Sequence, residues 1–233
     1  MLSPTLAVVI PTLNAAAVLP ATLTALGLND GAGKDGLVSE IVVSDGGSSD
    51  ATCALAQSAG CRVIMGPRGR GAQLAAGAAA ATGDWLLFLH ADTRLEPGWP
   101  AVVRAFCAAP ANRDRAGYFR FALADDTPAA RRLEAIVRWR CRVLALPYGD
   151  QGLLLRAATY RALGGFAPLP LMEDVDFVRR LGRARLAELP AAAVTSAARY
   201  RRDGYWARPL RNLVCLGLYF AGLPPERLVK LYG

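Results

Sequence analysis

The sequence predicts an α/β protein with a mostly parallel central sheet, flanking helices and a helical C-terminal tail. Apolar runs of strand length alternate with segments of helical periodicity over residues 6–89, and short polar loops follow the runs. Residues 208–232 have a helical pattern around an apolar centre at 213–223, which ends at Pro224. Strands that alternate with helices are typical of βαβ units and hence of a parallel sheet.

Four predicted strands lie in the first part of the chain. Each is a continuous run of mainly apolar residues, as expected for a strand buried on both faces. The first ends at Pro11, and a glycine-rich surface loop at residues 27–36 precedes the second. The predicted strands are residues 6–10, 40–44, 61–65 and 85–89, and the helices between them are residues 15–26, 51–59 and 73–81.

After residue 93 the alternation is less regular. Residues 129–146 form the most distinctive segment, because they predict an amphipathic helix rich in arginine. The other predicted elements are helices at 99–108 and 158–163, strands at 116–124 and 153–156, and a helix that begins at residues 172–174. This half therefore supplies further sheet and helix, but without the simple repeat of the first half.

Composition limits the class of protein. The chain has 233 residues, of which 53% are hydrophobic, so it can bury a sizeable core and is too apolar to be disordered. No apolar run reaches the roughly 18 residues of a membrane span. The first residues lack the cationic segment of a signal peptide, so we expect a cytoplasmic protein, with peripheral membrane attachment left open.

Cysteine spacing and net charge restrict the partners. The five cysteines are widely spaced without a C-x-x-C pair, so we expect free thiols rather than a zinc or redox site. The net charge of +8 suits nucleic acid, an anionic membrane or a phosphate-bearing ligand. We expect no nucleic-acid binding, because the chain shows neither a helix-turn-helix pattern, nor zinc ligands, nor aromatic residues set among basic strand residues.

Polar residues follow the predicted strands. Pro11 to Asn14, Asp45, the Arg68 and Arg70 pair, and His90-Ala91-Asp92 each come after a strand, and the ends of parallel strands meet at one edge of the sheet. Asp45 could accept hydrogen bonds from a ribose or a base, or it could form an Asx turn. The arginines could neutralise phosphate oxygens.

The only histidine, His90, lies two residues before Asp92. On extended backbone this spacing points both side chains the same way. Asp92 could hold a divalent cation that bridges a diphosphate, with His90 as a direct or indirect partner. The alternative is a hydrogen-bonded histidine beside a helix-capping aspartate.

The motifs VVIPTLN, VVSDGGSSDAT, LLFLHADT and MEDVDF, with the basic glycine loop, resemble glycosyltransferase family 2 over residues 6–182. The resemblance implies the GT-A fold. It assigns the nucleoside to Pro11, Thr12, Asn14 and Asp45, and it assigns the diphosphate and the metal, Mn²⁺ or Mg²⁺, to the His90-Ala91-Asp92 motif, with Asp92 and His90 as the metal ligands. Together with Arg68 and Arg70, which could neutralise phosphate, and Ala91, the four nucleoside residues form the expected nucleotide-binding set. His90 stands where the family's D-x-D motif has its first carboxylate, so metal affinity and strict metal dependence are open.

The resemblance also assigns the catalytic base and divides the chain. Asp174 is the expected general base on the acceptor hydroxyl, with Glu173 as the second choice, although acidic residues are also common in the first turn of a helix. Residues 1–202 form the expected GT-A domain, with a nucleotide-binding half at 1–93 and an acceptor half at 94–202. Residues 203–233 form the tail.

Three further segments carry weaker expectations. Asp150 and Gln151 could bind the acceptor through sugar hydroxyls or form only a turn. Tyr200, Arg201 and Arg202 loosely resemble the aromatic and basic motif that contacts the diphosphate in some family members, or they form a solvated basic face. The tail could lie on a membrane surface, pack on the main domain or join a homodimer.

These expectations combine into a hypothesis of function. The chain is expected to move a sugar, of the hexosyl class, from a nucleotide diphosphate donor to an acceptor hydroxyl with inversion and divalent-metal assistance. The acceptor is open between a small molecule, a glycan and a lipid-linked compound. The alternatives are a non-catalytic nucleotide-sugar-binding module and a nucleotidyltransferase, although the glycine-rich signature of the latter is absent after the first strand.

Overall fold

The structure, a computed structural model, describes residues 4–27 and 36–232. Most of the predicted glycine-rich loop at 27–36 therefore lies outside the described residues. The described residues contain one eight-stranded sheet. Its strands are β1 (Leu6–Thr12), β2 (Val38–Asp45), β3 (Arg62–Met65), β4 (Trp85–Phe88), β5 (Thr93–Leu95), β6 (Ala116–Leu123), β7 (Leu153–Arg156) and β8 (Leu186–Thr195).

The strand order is β3-β2-β1-β4-β7-β6-β8-β5. The first four strands of this order are mutually parallel. Antiparallel β7 joins them to the second half, in which β6 is antiparallel to β7 and parallel to β8. The short strand β5 pairs antiparallel with β8 at the far edge. The predicted α/β class with a mostly parallel sheet is confirmed.

Helices cover both faces of the sheet. They are α1 (Leu19–Ala25), α2 (Thr52–Ser58), α3 (Arg70–Ala80), α4 (Trp99–Ala108), α5 (Pro128–Leu144), α6 (Ala157–Ala162), α7 (Glu173–Leu181), α8 (Ala198–Asp203), α9 (Ala207–Phe220) and α10 (Pro225–Tyr232). Alternate residues of β1 divide the core, since Val8 and Ile10 pack with α1, α2 and α4. Ala7 and Val9 pack with α3, α6 and α7 on the other face. The result is a three-layer α/β arrangement.

The first strand runs two residues beyond its predicted end. β4 pairs with β1 only as far as Val9, so the missing N–H of Pro11 faces a side that has already lost its partner strand. On the other side Thr12 still accepts a hydrogen bond from the Gly46 amide at 2.9 Å. Proline is therefore tolerated here, and it carries Thr12 to the edge of the sheet.

Strand β8 was not predicted, and Pro190 explains why. Proline within an apolar run argues against a strand from sequence alone. In the structure the register slips at this point, because Phe119 of β6 pairs with Leu189 and Arg120 pairs with Ala192. The bulge places Pro190 where no ladder hydrogen bond is needed. Strand β5 was also missed, since three residues are too few to show a periodicity.

Two helix starts differ from prediction. α1 begins at Leu19 rather than at residue 15, with Pro20 in its first turn, where the absent N–H is harmless. α3 begins at Arg70 rather than at residue 73, which places that arginine in the first turn of a helix.

The tail packs on the main domain, in agreement with one of the three alternatives given above. Cys215 and Leu216 of α9 and Leu228 of α10 join Met172 and Val175 in one buried cluster. No helix within residues 4–27 and 36–232 is long and apolar enough to cross a membrane. All five cysteines are free thiols, as predicted.

Candidate active site

A large cleft opens at the carboxyl ends of the parallel strands. Its volume is about 440 Å³, and loops that follow β1, β3 and β4 form much of its wall. Ligand sites of open α/β sheets lie at this edge. The predicted residues that line it are Pro11, Thr12, Asn14, Arg68, Arg70, His90, Ala91 and Asp92.

A second, smaller space continues from the large cleft. We call it the acidic chamber, because Asp92, Asp150, Glu173 and Asp174 all line it. Its volume is about 90 Å³. The two spaces share part of their walls, namely Arg70, His90, Asp92 and Leu171. A ligand could therefore extend from the cleft into the chamber without leaving the protein surface.

Asn14 locks the loop after β1 onto the loop after β2. Its backbone has a positive φ of 49°, which asparagine tolerates better than most residues. The side-chain Oδ1 of Asn14 accepts a hydrogen bond from the backbone amide of Ser49 at 2.9 Å. The backbone amide of Asn14 donates a hydrogen bond to Ser48 Oγ at 2.8 Å. The two loops are thus fixed relative to each other at the cleft.

Asp45 lies beneath this loop and does not line the cleft. It is fully buried, and its carboxylate accepts hydrogen bonds from Thr12 Oγ1 at 2.8 Å and from the Ser48 amide at 2.7 Å. Burial alone would raise the pKa of Asp45, but hydrogen bonds from Ser48, Thr12 and Gly47 bring it below its ordinary value. The Asx-turn alternative describes this geometry, and direct contact with a nucleotide stays a prediction.

Gln73 was missed by the sequence analysis. Its buried amide on α3 donates hydrogen bonds to the carbonyl of Thr12 at 2.6 Å and to that of Ser44 at 3.0 Å. These contacts tie the ends of β1 and β2 together at the wall of the cleft, which Gln73 itself lines. The available signal was a single amide within an otherwise small and apolar helix, and buried polar groups in such places are usually hydrogen-bonded.

Arg70 lies where the cleft meets the acidic chamber. Gly71, the next residue, lets α3 approach the loop before α7, because a Cβ there would collide with the carbonyl oxygen of Ala167. Arg70 Nη1 is 3.6 Å from Oε1 of Glu173. Arg70 therefore lines both the large cleft and the chamber that holds the carboxylates.

Gly149 separates His90 from Asp174. Its amide donates a hydrogen bond to Asp174 Oδ2 at 2.7 Å. A Cβ at this position would lie 2.6 Å from His90 Nε2, so a larger residue could not stay without moving the imidazole. The glycine thus brings the D-x-D position and the predicted base into the same chamber.

Helix α7 begins directly after a residue in the left-handed conformation. Met172 has φ 66°, an uncommon value for a residue with a side chain, and such positions concentrate at functional sites. Glu173 follows and is only 1% exposed. Burial and the neighbouring Asp174 raise the pKa of Glu173 to about 7, although Arg70 opposes this. Glu173 is therefore the inner carboxylate, backed by Arg70, beside Asp174.

The sequence predicts that Asp150 and Gln151 both bind the acceptor, but in the structure their side chains point to different places. Asp150 lines the acidic chamber, and its buried Oδ1 accepts no hydrogen bond from any of the described residues. Gln151 points inward, where its Nε2 donates to the carbonyl of Phe119 at 3.1 Å and its Oε1 accepts from the Tyr148 amide. This placement differs from the prediction that Gln151 lines an acceptor pocket, because its amide supports the loop from within.

The charge of Asp150 is sensitive to its surroundings. Burial raises the pKa of Asp150 to about 6, and the negative charges of Asp174 and Asp92 act in the same direction. Arg140 and Arg70 lower it but do not cancel the effect. Asp150 therefore titrates closer to neutrality than an ordinary aspartate.

The predicted segment at residues 200–202 is also divided. Tyr200 lines the acidic chamber. Arg201 points elsewhere, since its Nε donates to Asp125 Oδ2 at 2.8 Å, and the hydroxyl of Tyr205 donates to the same oxygen. This ion pair differs from the predicted diphosphate contact of Arg201. Arg202 is exposed, and its contact with a diphosphate stays a prediction.

The donor set for a metal is small. Among the residues that the structure describes, no group of three His, Cys, Asp or Glu side chains is placed to hold an ion. Mg²⁺ is commonly held by only one or two carboxylates together with substrate phosphates. Asp92 and His90 at the wall of the large cleft fit that kind of site rather than a closed protein cage.

Part of the chain is similar to known proteins. Residues 7–113 match the model of Glycosyl transferase family 2. PGL/p-HBAD biosynthesis glycosyltransferases of Mycobacterium bovis and Mycobacterium tuberculosis are 39% identical over 46% of this chain and 43% of the relative. The matched part of the chain thus spans less than half the length of these curated relatives.

Solved structures of glucosyl-3-phosphoglycerate synthase from Mycobacterium tuberculosis share the fold. The complex with phosphoglyceric acid superimposes with a TM-score of 0.56 at 24% identity, over 83% of this chain and 70% of that one. Another structure of that enzyme holds Mn²⁺, UDP and glucosyl-3-phosphoglycerate, with a TM-score of 0.55, 24% identity and the same coverage. Residues 7–113 therefore resemble glycosyltransferase family 2, and 83% of the chain shares the α/β fold of these synthases, which is the GT-A fold.

Proposed function

We propose that this protein transfers a sugar from a nucleoside diphosphate donor to an acceptor hydroxyl, with inversion at the anomeric carbon. One observation carries the proposal: the large cleft and the acidic chamber share Arg70, His90 and Asp92. A donor with its nucleotide in the cleft would have its diphosphate at these shared residues and its sugar in the chamber. The predicted base would then lie on the acceptor side of that sugar.

The cleft suits a diphosphate. Arg68 and Arg70 lie on one wall, and Asp92 and His90 lie at the end of β4. A divalent cation held by Asp92, with His90 beside it, would supply positive charge to the leaving diphosphate. Arg70 supplies a fixed charge at the same place, so charge that develops on the leaving group meets preorganised cations. The Mn²⁺ and Mg²⁺ in the UDP complexes of the solved relatives support this assignment.

Asp174 is proposed as the general base. Its side chain lines the acidic chamber, where the Gly149 amide holds Oδ2 in a fixed direction. A base must be held within hydrogen-bond reach of the acceptor proton, and a group fixed at the start of a helix meets this requirement. Glu173, buried against Arg70, is better placed to orient that arginine than to receive a proton from an acceptor.

The acceptor is proposed to be uncharged at the end that enters the chamber. Asp92, Asp150, Glu173 and Asp174 line this small space, so carboxylates outnumber the arginine, Arg70, that lines it with them. A phosphate or carboxylate there would be repelled, whereas hydroxyl groups could donate to the open oxygen of Asp150. This differs from the phosphoglyceric acid held by the solved relative.

The first experiment is donor binding followed by product analysis. UDP-, GDP- and dTDP-sugars are screened by thermal shift with and without Mn²⁺, since a ligand of the native state raises the melting temperature. Active donors are then incubated with neutral hydroxyl acceptors and with their phosphorylated counterparts. Release of nucleoside diphosphate with transfer to the neutral compounds is expected, whereas release of pyrophosphate would identify a nucleotidyltransferase instead.

Asp174→Asn separates the enzyme from a binding module. We expect this variant to keep donor binding and lose turnover, because only the proton acceptor is removed. Asp176→Asn is the matched control on the same helix, since Asp176 pairs with Arg180 at 2.6 Å and does not line the chamber. If the wild-type protein binds donors but shows no turnover with any acceptor, the binding-module alternative is favoured. Unchanged turnover in Asp174→Asn would refute the assigned base.

A further inference from the structure

Helix α5 has a second apolar face that the fold does not cover. Leu133, Val137 and Cys141 form its buried face. On a different face Trp139 is 57% exposed, and Ile136 and Val143 are exposed to a similar degree. The spacing of i, i+3 and i+7 places these three residues in one stripe along the helix. An amphipathic helix of a globular protein needs only one apolar stripe, so the second has no role in folding.

Helix α9 repeats this arrangement. Its Cys215 and Leu216 are buried. Along its outer side, apolar residues recur at helical spacing and are each about half exposed or more, namely Trp206, Leu210, Leu213 and Phe220. Exposed single apolar residues are common, but contiguous apolar patches of this kind mark interaction sites.

Residues that flank the two helices connect them through two buried clusters. Tyr205, which directly precedes α9, packs against the cluster that contains Leu133 and Val137 of α5. At the other end Leu146, just after α5, packs with Cys215 and Leu216 of α9. We define the exposed residues Ile136, Trp139, Val143, Trp206, Leu210, Leu213 and Phe220 as the α5–α9 surface.

Basic residues predominate around this surface, although Arg142 pairs with Glu188 at 3.5 Å and Arg131 pairs with Asp126 at 3.6 Å. Helix α5 contains five arginines and a single acidic residue, Glu134, whose Oε1 accepts a hydrogen bond from the Leu123 amide at 2.8 Å. Helix α9 contains two arginines and no acidic residue. The basic groups continue beyond the helices, because Arg179 lies 4.9 Å from the ring of Phe220 and Arg183 donates to the carbonyl of Val143.

We propose that the α5–α9 surface docks on an anionic lipid bilayer. Apolar and aromatic side chains set among arginines are the composition of helices that lie in the plane of a bilayer, where the rings enter the interface and the cations meet lipid phosphates. A second copy of this chain is a poorer occupant, since it would bring the same positive charge against itself. The proposal concerns attachment and is independent of the reaction proposed above.

Docking would place the acidic chamber near the bilayer. Asn212 of α9 and Tyr200 of α8 line the chamber, so the helix that carries half of the α5–α9 surface also forms part of the site wall. A substrate anchored in the lipid could then present a hydroxyl to the chamber without leaving the membrane.

The test is sedimentation with vesicles of phosphatidylcholine, with and without phosphatidylserine. We expect the wild-type protein to sediment with the serine-containing vesicles and to be released by salt. Trp139→Glu and Leu213→Glu should each lower the partition coefficient at least about tenfold. Met65→Glu is the matched control, because Met65 is 69% exposed at the end of β3 and its substitution adds the same charge. Circular dichroism establishes that all three variants fold.

Several results would overturn the proposal. These are absent binding by the wild-type protein, equal binding to both kinds of vesicle, or losses in Met65→Glu as large as those in the other two variants. A loss in only one of Trp139→Glu and Leu213→Glu would refute a surface shared by two helices. A dimer in solution that both substitutions dissociate, without vesicle binding, would identify a second copy as the occupant.

Discussion

The amide of Gly149 donates a hydrogen bond to Oδ2 of Asp174, and no side chain separates this pair from His90. The contact joins the loop before β7 to the start of α7. It places a histidine that follows β4 beside a carboxylate that lies more than eighty residues later in the chain. The position of the proposed base therefore depends on a residue without a side chain.

Gly149→Ala should lower kcat with little effect on stability. The new Cβ would lie 2.6 Å from His90 Nε2, so the imidazole or the loop must move, and a displacement of about 1 Å in a catalytic group can cost about a hundredfold in rate. Steady-state kinetics with the active donor measures this. Gly217→Ala is the control, since a Cβ there meets nothing within 4 Å. Wild-type kcat in Gly149→Ala would show that this approach does not matter for turnover.

Asp150→Asn should change the pH dependence of stability. The pKa of Asp150 is raised to about 6 in the folded protein, mainly by burial, and is about 3.9 in an unfolded chain. Between these values the folded state binds more protons than the unfolded state, so stability falls as pH rises from about 4 to about 6. Asn does not titrate, so the stability of the variant does not fall over this pH range. At pH 7 the melting temperature of the variant should exceed that of the wild type by about 2 °C or more.

Melting curves between pH 4 and pH 8 test this for Asp150→Asn. Asp126→Asn serves as the control, because the Asp126 side chain is fully exposed and has no buried charge to relieve. An equal melting-temperature difference between Asp150→Asn and wild type at every pH would contradict the assigned titration.

Gln73→Ala should destabilise the protein and weaken donor binding together. It removes the donor that satisfies the carbonyls of Thr12 and Ser44, and buried acceptors left unpaired cost about 1–3 kcal/mol. Urea unfolding gives the stability change, and calorimetry with the nucleotide gives the affinity. Gln57→Ala is the control on exposed α2 surface. Loss of stability with wild-type affinity would show that Gln73 supports the fold without shaping the cleft.

His90→Asp should strengthen metal binding, because it restores the carboxylate that the D-x-D motif lacks here. Hard cations bind more tightly as the number of charged oxygen ligands rises, so we expect the half-saturating Mn²⁺ concentration to fall about tenfold, or about 1.4 kcal/mol. Titration of Mn²⁺ in the presence of UDP measures this. His90→Asn has similar size without the charge and serves as the control. Equal Mn²⁺ affinity in the two variants would place the cation away from this position.

Sequence predicted the sheet where periodicity was simple. Strand β7 and helix α4 have the predicted bounds, because a short apolar run and a helical repeat are local signals. Strand β8 was missed because Pro190 occupies a bulge that forms only when β6 is beside it. Its assignment needed tertiary information.

The site was predicted as a set of loops but not side chain by side chain. Most of the expected residues lie in the wall of the large cleft at the edge of the sheet, because the topology alone determines where parallel strands end. The directions of Gln151 and Arg201 depend on partners distant in sequence, Phe119 and Asp125 respectively. Such pairings leave no trace in local patterns. Gln73 was missed for the same reason, because it lies on α3 and its acceptors, the carbonyl groups of Thr12 and Ser44, belong to β1 and β2.

Val229 of α10 lines the large cleft together with Pro11 and Thr12, from which it is more than two hundred residues distant in sequence. Part of the cleft wall therefore comes from a helix that lies outside the sheet. A substitution that shifts α10 would change the shape of the cleft without altering any residue that follows a parallel strand. Variants of this helix are therefore expected to report on ligand affinity as well as on the packing of the tail.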